Sequence, residues 1–120
     1  METETNLGKR ILLVDDECVI RELIRELLAQ DEHIVVEANN GAEAYVLFTQ
    51  SRFDLVMTDY LMPFLNGDEL ASRIRQLAPR QPILMMTGHD FKCRPGSPVN
   101  AVLHKPFDHE LLQQEIAKLL

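Results

Sequence analysis

The sequence is poor in positive charge and in long hydrophobic runs. It has 12 Lys and Arg against 19 Asp and Glu in 120 residues, which gives a formal net charge of −7. Because phosphate backbones and anionic lipid surfaces attract basic faces, this balance argues against direct nucleic-acid binding and against membrane binding. The apolar runs are only a few residues long, whereas a membrane-spanning helix needs about 20.

Cysteine is also scarce. Cys18 and Cys93 are far apart in the sequence and do not have the spacing of metal ligands, so we expect two free thiols in a reducing cytosol. Residues 1–8 are acidic and polar and lack the apolar core of a secretion signal. We therefore expect a cytoplasmic protein.

The chain is long enough for one domain, and 46% of its residues are hydrophobic. We expect a flexible N-terminal tail over residues 1–8 and one domain over 9–120. Short apolar runs alternate with segments of helical spacing, which predicts an α/β fold with a doubly wound, five-stranded parallel sheet. The predicted strands are 11–14, 33–38, 55–59, 83–86 and 101–104. The predicted helices are 18–30, 42–50, 68–77 and a last helix capped by Asp108.

All four predicted helices have an apolar side that we expect to face the core. The inward positions are Val19, Ile20, Leu23, Ile24, Leu27 and Leu28 in the first, Ala44, Leu47 and Phe48 in the second, Leu70, Ile74 and Leu77 in the third, and Leu111, Leu112, Ile116, Leu119 and Leu120 in the last.

The segment between the fourth and fifth predicted strands is short and irregular. Pro95, Gly96 and Pro98 interrupt it, and it has no apolar helical period. Because proline in a helix interior costs about 3 kcal/mol, we predict that a helix here is absent or reduced to one turn near residues 90–94.

Reactive side chains follow four of the predicted strands. Asp15 and Asp16 follow the first, Asp59 ends the third, Thr87 follows the fourth and Lys105 follows the fifth. The carboxyl ends of parallel strands share one edge of the sheet, so we expect these groups to converge. Three acids in one pocket repel each other, and Mg²⁺, which prefers oxygen ligands, relieves that repulsion. A cation, an ammonium and a hydroxyl around one carboxylate are what phosphoryl transfer to that carboxylate requires.

At these residues the chain resembles the receiver domain of two-component response regulators, the CheY-like superfamily, along nearly its whole length. The matching marks are Asp15-Asp16, Asp59, Met62-Pro63, Gly67, Thr87-Gly88 and Lys105-Pro106-Phe107. The resemblance implies a flavodoxin-like strand order of 2-1-3-4-5. It also implies a signalling switch that is not an enzyme beyond its own phosphorylation and dephosphorylation.

The resemblance also implies a role for each residue. Asp59 would accept a phosphoryl group from a phosphohistidine, Lys105 would pair with Asp59 and then with the phosphoryl oxygens, and Thr87 would move its hydroxyl onto the phosphate. Mg²⁺ would be held by Asp16 and Asp59 directly, by Asp15 through water and by the backbone carbonyl of Leu61. The implied partners are a sensor histidine kinase or phosphotransfer protein and a downstream protein effector, with the chain a monomer or weak dimer.

The chain departs from the family pattern at Val102, where family members commonly carry Tyr or Phe. We therefore predict an output through ordering of residues 88–99 or through the first helix. Leu61 offers no hydrogen bond to an attacking water, which predicts slow loss of the phosphoryl group, although His89 could orient that water.

Two other functions compete with the switch. One is an interaction module with a receiver fold that has lost phosphorylation, which the short fourth segment keeps open. The other is a Mg²⁺-dependent phosphatase with an aspartyl nucleophile. Such enzymes usually need a second acid just after the nucleophile, and Tyr60 and Leu61 do not supply one.

Overall fold

Five parallel strands form one sheet, with helices on both of its faces. The structure is a computed structural model that describes residues 8–88 and 96–120. The strands lie in the order β2-β1-β3-β4-β5, which confirms the predicted doubly wound, flavodoxin-like fold. The strands are β1 (Arg10–Val14), β2 (Ile34–Ala38), β3 (Leu55–Asp59), β4 (Ile83–Thr87) and β5 (Ala101–His104). The helices are α1 (Cys18–Ala29), α2 (Gly41–Gln50), α3 (Gly67–Leu77) and α4 (His109–Leu119).

The core lies on the two faces of the sheet. Every residue of β3 and β4 is buried, as a parallel strand covered on both sides requires. One face packs against α2 and α3, and Ala44, Leu70 and Ile74 lie in that cluster. The other packs against α1 and α4, through residues such as Ile24 and Leu112. Because helices cover both faces, the buried charged groups lie at the two edges where the strands begin and end.

Side-chain caps fix where three of the helices begin. Asn40 accepts a hydrogen bond from the Glu43 amide at the start of α2. Asp108 caps α4 as predicted, and its Oδ1 accepts from the Leu111 amide at 2.8 Å. These caps satisfy amides that the first turn of a helix leaves without a partner. The caps therefore fix the first residues of α2, α3 and α4.

The predictions that Leu77, Leu111 and Leu120 face the core are wrong, because their side chains are 53%, 39% and 39% exposed. Leu77 is the last residue of α3, where the backbone turns away at Ala78, so it lies past the end of the surface that Ile74 covers. The first helix also buries less than predicted. Val19 is 69% exposed, and Leu23 is exposed as well, because the sheet contacts a narrower side of α1 than its apolar residues span.

Some predictions fall on residues that the structure leaves undescribed. The segment 90–94, where a helix was predicted to be absent or reduced to one turn, lies outside the described residues, as do Cys93 and His89. Residues 1–7 of the predicted flexible tail lie outside them too. Residues 96–100, which lead into β5, contain no helix. Cys18 is a free, exposed thiol as expected. Among the described helices, none is long and apolar enough to cross a membrane.

Candidate functional site

Three carboxylates converge at the carboxyl edge of the sheet. Asp15 directly follows β1, and Asp59 is the last residue of the neighbouring strand β3. Because Val14 is paired with Thr58 in the parallel register, the next residues of the two strands come side by side. One oxygen each of Asp15, Asp16 and Asp59 lies within 4.8 Å of the others. Asp15 is fully buried, Asp59 is 7% exposed and Asp16 is exposed, so the cluster opens to solvent on the Asp16 side.

Lys105 brings a single ammonium group to this cluster. Its Nζ donates to Asp15 Oδ2 at 3.0 Å and lies 3.4 Å from Asp59 Oδ1. The Lys105 amide donates to the Thr87 carbonyl at 2.9 Å, which fixes the backbone just beyond β5. The sequence predicted a pair between Lys105 and Asp59, and the structure puts the ammonium closer to Asp15. One lysine therefore bridges both buried carboxylates.

Burial and neighbouring charges shift the pKa of Asp59 and the pKa of Lys105. Burial raises the pKa of Asp59, and the Asp15 carboxylate raises it further, while Lys105 and the Tyr60 amide oppose the shift. For Lys105, burial lowers the pKa, but the hydrogen bond to Asp15 and the charges of both carboxylates outweigh it and the pKa is raised. Lys105 thus stays an ammonium, and ionising the buried Asp59 carboxyl costs free energy.

The surplus of negative charge fits a hard divalent cation. Among the described residues, three carboxylates face one ammonium, and each acid offers an oxygen ligand. Mg²⁺ binds through one or two carboxylates and keeps several waters, and the exposed side at Asp16 leaves room for them. Leu61, the predicted carbonyl ligand, is half exposed in the loop two residues after Asp59.

The loop between β3 and α3 folds back tightly against Asp59. The Gly67 amide donates to the Tyr60 carbonyl at 2.8 Å. A Cβ at Gly67 would overlap the carbonyl oxygen of Asp59, so only glycine allows this approach. Met62 and Leu65 are buried in the core and anchor the loop to it. Gly67 therefore fixes the loop geometry.

Thr87 reaches the same edge from the next strand. It is fully buried and is the last residue of β4, one step beyond Met86, which pairs with Asp59. The structure thus brings Asp15, Asp59, Thr87 and Lys105 to one edge, from four strands.

Arg21 is a residue at this edge that the sequence did not point to. Its Nη1 donates to the Asp15 carbonyl at 2.7 Å, and its Nε donates to Glu37 at 2.9 Å. Its position one turn into α1, directly after the acidic loop, was the signal that could have found it. Asp15 is held further by the Glu17 amide, which donates to its Oδ1 at 2.9 Å.

A doubly wound sheet with an acidic cluster and a lysine at its carboxyl edge defines a class of phosphoacceptor domains. The family model of the response regulator receiver domain matches residues 11–117, and the chain belongs to this family of two-component signalling proteins.

The relatives include small proteins of the same length. The chain is 34% identical to the chemotaxis protein CheY of Halobacterium salinarum over 118 residues, covering 95% of this chain and 98% of the relative. It is 37% identical to the response regulator receiver protein CpdR of Brucella abortus over 116 residues, covering 93% and 97%.

Solved structures with magnesium are also similar. The response regulator TrrA of Thermotoga maritima, in complex with Mg²⁺ and BeF, has a TM-score of 0.87 at 35% identity and covers 93% of this chain and 99% of its own. The receiver domain of a sensor histidine kinase from Pseudomonas aeruginosa, with a magnesium ion coordinated in the active site cleft, has a TM-score of 0.84 at 26% identity and covers 93% and 97%.

Proposed function

We propose that this protein is a phosphorylation switch that accepts a phosphoryl group on Asp59 from the phosphohistidine of a sensor kinase or phosphotransfer protein. The observation that carries the proposal is the convergence of two further carboxylates, Asp15 and Asp16, and one lysine around Asp59. The phosphorylated chain would then regulate a protein partner.

The transfer needs an oxygen nucleophile and positive charge around the phosphoryl group. A carboxylate oxygen of Asp59 attacks phosphorus, the phosphorus–nitrogen bond breaks, and its electron pair returns to the imidazole of the donor. Lys105 Nζ lies 3.4 Å from Asp59 and is placed to neutralise the phosphoryl oxygens. Thr87 would donate its hydroxyl to the same group and couple the switch to the segment that follows it.

The cluster would hold Mg²⁺ through Asp16 and Asp59 directly, through Asp15 by way of water, and through the Leu61 carbonyl. The metal would supply charge neutralisation to the transferring phosphoryl group. The names of two similar solved structures mention magnesium, which supports this choice of ion. Asp15 is fully buried and already accepts from Lys105, which fits an indirect role.

The signal would leave through residues 88–99 or through α1. Val102 is partly buried against the core cluster, and a valine cannot move like the aromatic residue common in the family. Amide hydrogen exchange with and without a phosphoryl mimic tests this output. No change in residues 88–99 or in α1 would contradict it.

Acetyl phosphate with Mg²⁺ tests the central proposal. Intact mass should increase by one phosphoryl group, and the increase should require both Mg²⁺ and Asp59. Asp59→Asn should abolish labelling, and Glu22→Gln, which removes an exposed acid of α1, is the matched control. A folded protein that gains no mass would contradict the switch and favour the interaction module that works without phosphorylation. Turnover of a phosphate ester would favour the phosphatase instead.

A further inference from the structure

The loop between β3 and α3 presents apolar side chains to solvent next to Asp59. Phe64 is fully exposed, and Leu61 is half exposed. Phe64 also has a left-handed backbone, with φ at 70°. A bulky residue rarely adopts this conformation, because its Cβ crowds the following carbonyl oxygen. Neither burial nor local geometry therefore favours phenylalanine at this position.

The exposure of Phe64 does not come from a loosely attached loop. The neighbouring residues Met62 and Leu65 are buried in the core. On the far side, Asn66 and Glu69 form a reciprocal capping box that starts α3, with bonds of 2.9 and 3.2 Å. The loop is held on both sides of Phe64, so the ring is displayed on a fixed support. A strained, exposed residue on a fixed support beside a site points to a function in binding.

The position of Phe64 follows from the closed shape of the loop. The backbone of Gly67 contacts that of Asp59, and Phe64 is three residues before Gly67. Three residues span at most about 11 Å between Cα atoms. A standard interface buries about 800 Å² on each partner, which is a disc of about 16 Å radius. A donor whose interface of this size is centred on the 7% exposed Asp59 therefore covers Phe64 as well.

We propose that Phe64 and Leu61 form an apolar docking patch for the phosphohistidine protein that phosphorylates Asp59. This inference rests on the proposed function, since it names the surface through which the donor reaches the same site. The patch begins two residues after Asp59, and the acidic first turn of α3, at Asp68 and Glu69, follows it in the chain. The complementary donor surface has apolar side chains beside its histidine and basic residues at the margin.

Phosphotransfer from a protein donor, compared with labelling by acetyl phosphate, tests the patch. The protein donors are the purified histidine kinases of the source organism, each autophosphorylated with radiolabelled ATP. Phe64→Asn suits the left-handed backbone and should slow transfer from the kinase that phosphorylates the wild type by at least about tenfold. Its acetyl phosphate labelling should stay within about twofold of wild type. Phe64→Tyr, which keeps the ring, and Val46→Ala, which trims an exposed apolar residue of α2, are the controls.

Three results would overturn the patch, and they are distinguishable. If the kinase phosphorylates Phe64→Asn at the wild-type rate, the Phe64 ring does not dock the donor. The ring would then be assigned to a downstream partner. Equal slowing with both donors would show damage to the pocket itself. Failure of acetyl phosphate and of every kinase to label the wild-type protein would overturn the proposed function, and the docking patch with it.

Discussion

Charged groups are paired differently at the amino edge of the sheet, where the strands begin, and at its carboxyl edge, where they end. At the amino edge, charged groups are matched within the fold. Arg75 of α3 donates to the carbonyls of residues 79, 81 and 98 and to Asn100 Oδ1. Asp31 accepts from Gln113 at 2.9 Å and lies 3.0 Å from the His109 ring. At the carboxyl edge, three carboxylates share one lysine.

This difference separates residues that hold the fold from residues that do chemistry. The bonds of Arg75 join α3 to segments up to 25 residues away, so they tie the start of β4 and β5 to the helix. At the carboxyl edge, burial raises the pKa of Asp59, and repulsion from the Asp15 carboxylate raises it further. The amino edge should therefore govern stability without metal, and the carboxyl edge should gain stability when a cation arrives.

Removing the Arg75 side chain should have the largest effect on stability. Arg75→Ala leaves several partly buried carbonyls without a donor, and we expect the free energy of unfolding to fall by about 3 kcal/mol. Denaturant unfolding with and without Mg²⁺ measures this, and the loss should be the same in both. Arg73→Ala, an exposed arginine on the same helix, is the control. Equal losses for the two variants would contradict the role of Arg75.

Binding of Mg²⁺ at the carboxyl edge should increase the free energy of unfolding. An ion that binds only the folded state at about 100 times its dissociation constant stabilises by about 2.7 kcal/mol. We expect most of this gain to disappear in Asp16→Asn, which removes a ligand from the open side of the cluster. Denaturation in EDTA and in Mg²⁺, with NaCl at equal ionic strength as control, measures it. A wild-type midpoint that Mg²⁺ does not move would contradict a metal site.

Much of the fold and the site could be predicted because the signals are local. Short apolar runs that end in Asp15 or Asp59 give both a strand and the position of its acid, and turn residues such as Asn66-Gly67 mark the next helix. Lys105 could be assigned to the same edge from strand alternation alone.

The parts that could not be predicted depend on packing between distant segments. The ammonium of Lys105 lies nearer to Asp15 than to Asp59, across a sequence separation of 90, and no local pattern encodes that choice. The bond from Arg21 Nε to Glu37 depends on how α1 packs against β2, 16 residues further along the chain. The exposed Leu77 fits the helical period of its neighbours, and only the extent of the sheet excludes it from the core.

Asp59 should lower stability at neutral pH. Its raised pKa means that the folded state binds the proton more tightly than the unfolded state, whose pKa is near 3.8. Stability from this group is therefore highest below about 3.8 and declines as pH rises through the folded pKa. Asp59→Asn should increase the free energy of unfolding by about 1 kcal/mol at neutral pH without metal, and the gain should vanish near pH 4. A pH series of denaturation curves in EDTA measures this, and a constant gain would contradict it.

His33, at the amino edge, should have the smallest effect on stability. Its pH dependence should have the opposite sign to that of Asp59. Burial lowers its pKa from 6.5, and Lys9 adds to the shift while Asp31 and Asp54 oppose it. Its Nδ1 accepts from the Lys9 amide at 3.0 Å, which only an unprotonated nitrogen can do. The unfolded state then binds the proton more tightly, so this contribution is present above about pH 6.5 and is lost as pH falls through the folded pKa.

His33→Asn keeps a side-chain acceptor but cannot gain a proton, so it should flatten the acid side of the stability profile by less than about 1 kcal/mol. His104→Gln, an exposed histidine on β5, is the matched control and should leave the profile unchanged. If the profiles of His33→Asn and wild type coincide from about pH 5 to pH 7, burial of the His33 ring does not oppose its protonation. If they diverge as expected, the buried titratable groups of the two edges respond oppositely to acid, His33 by losing stability and Asp59 by regaining it.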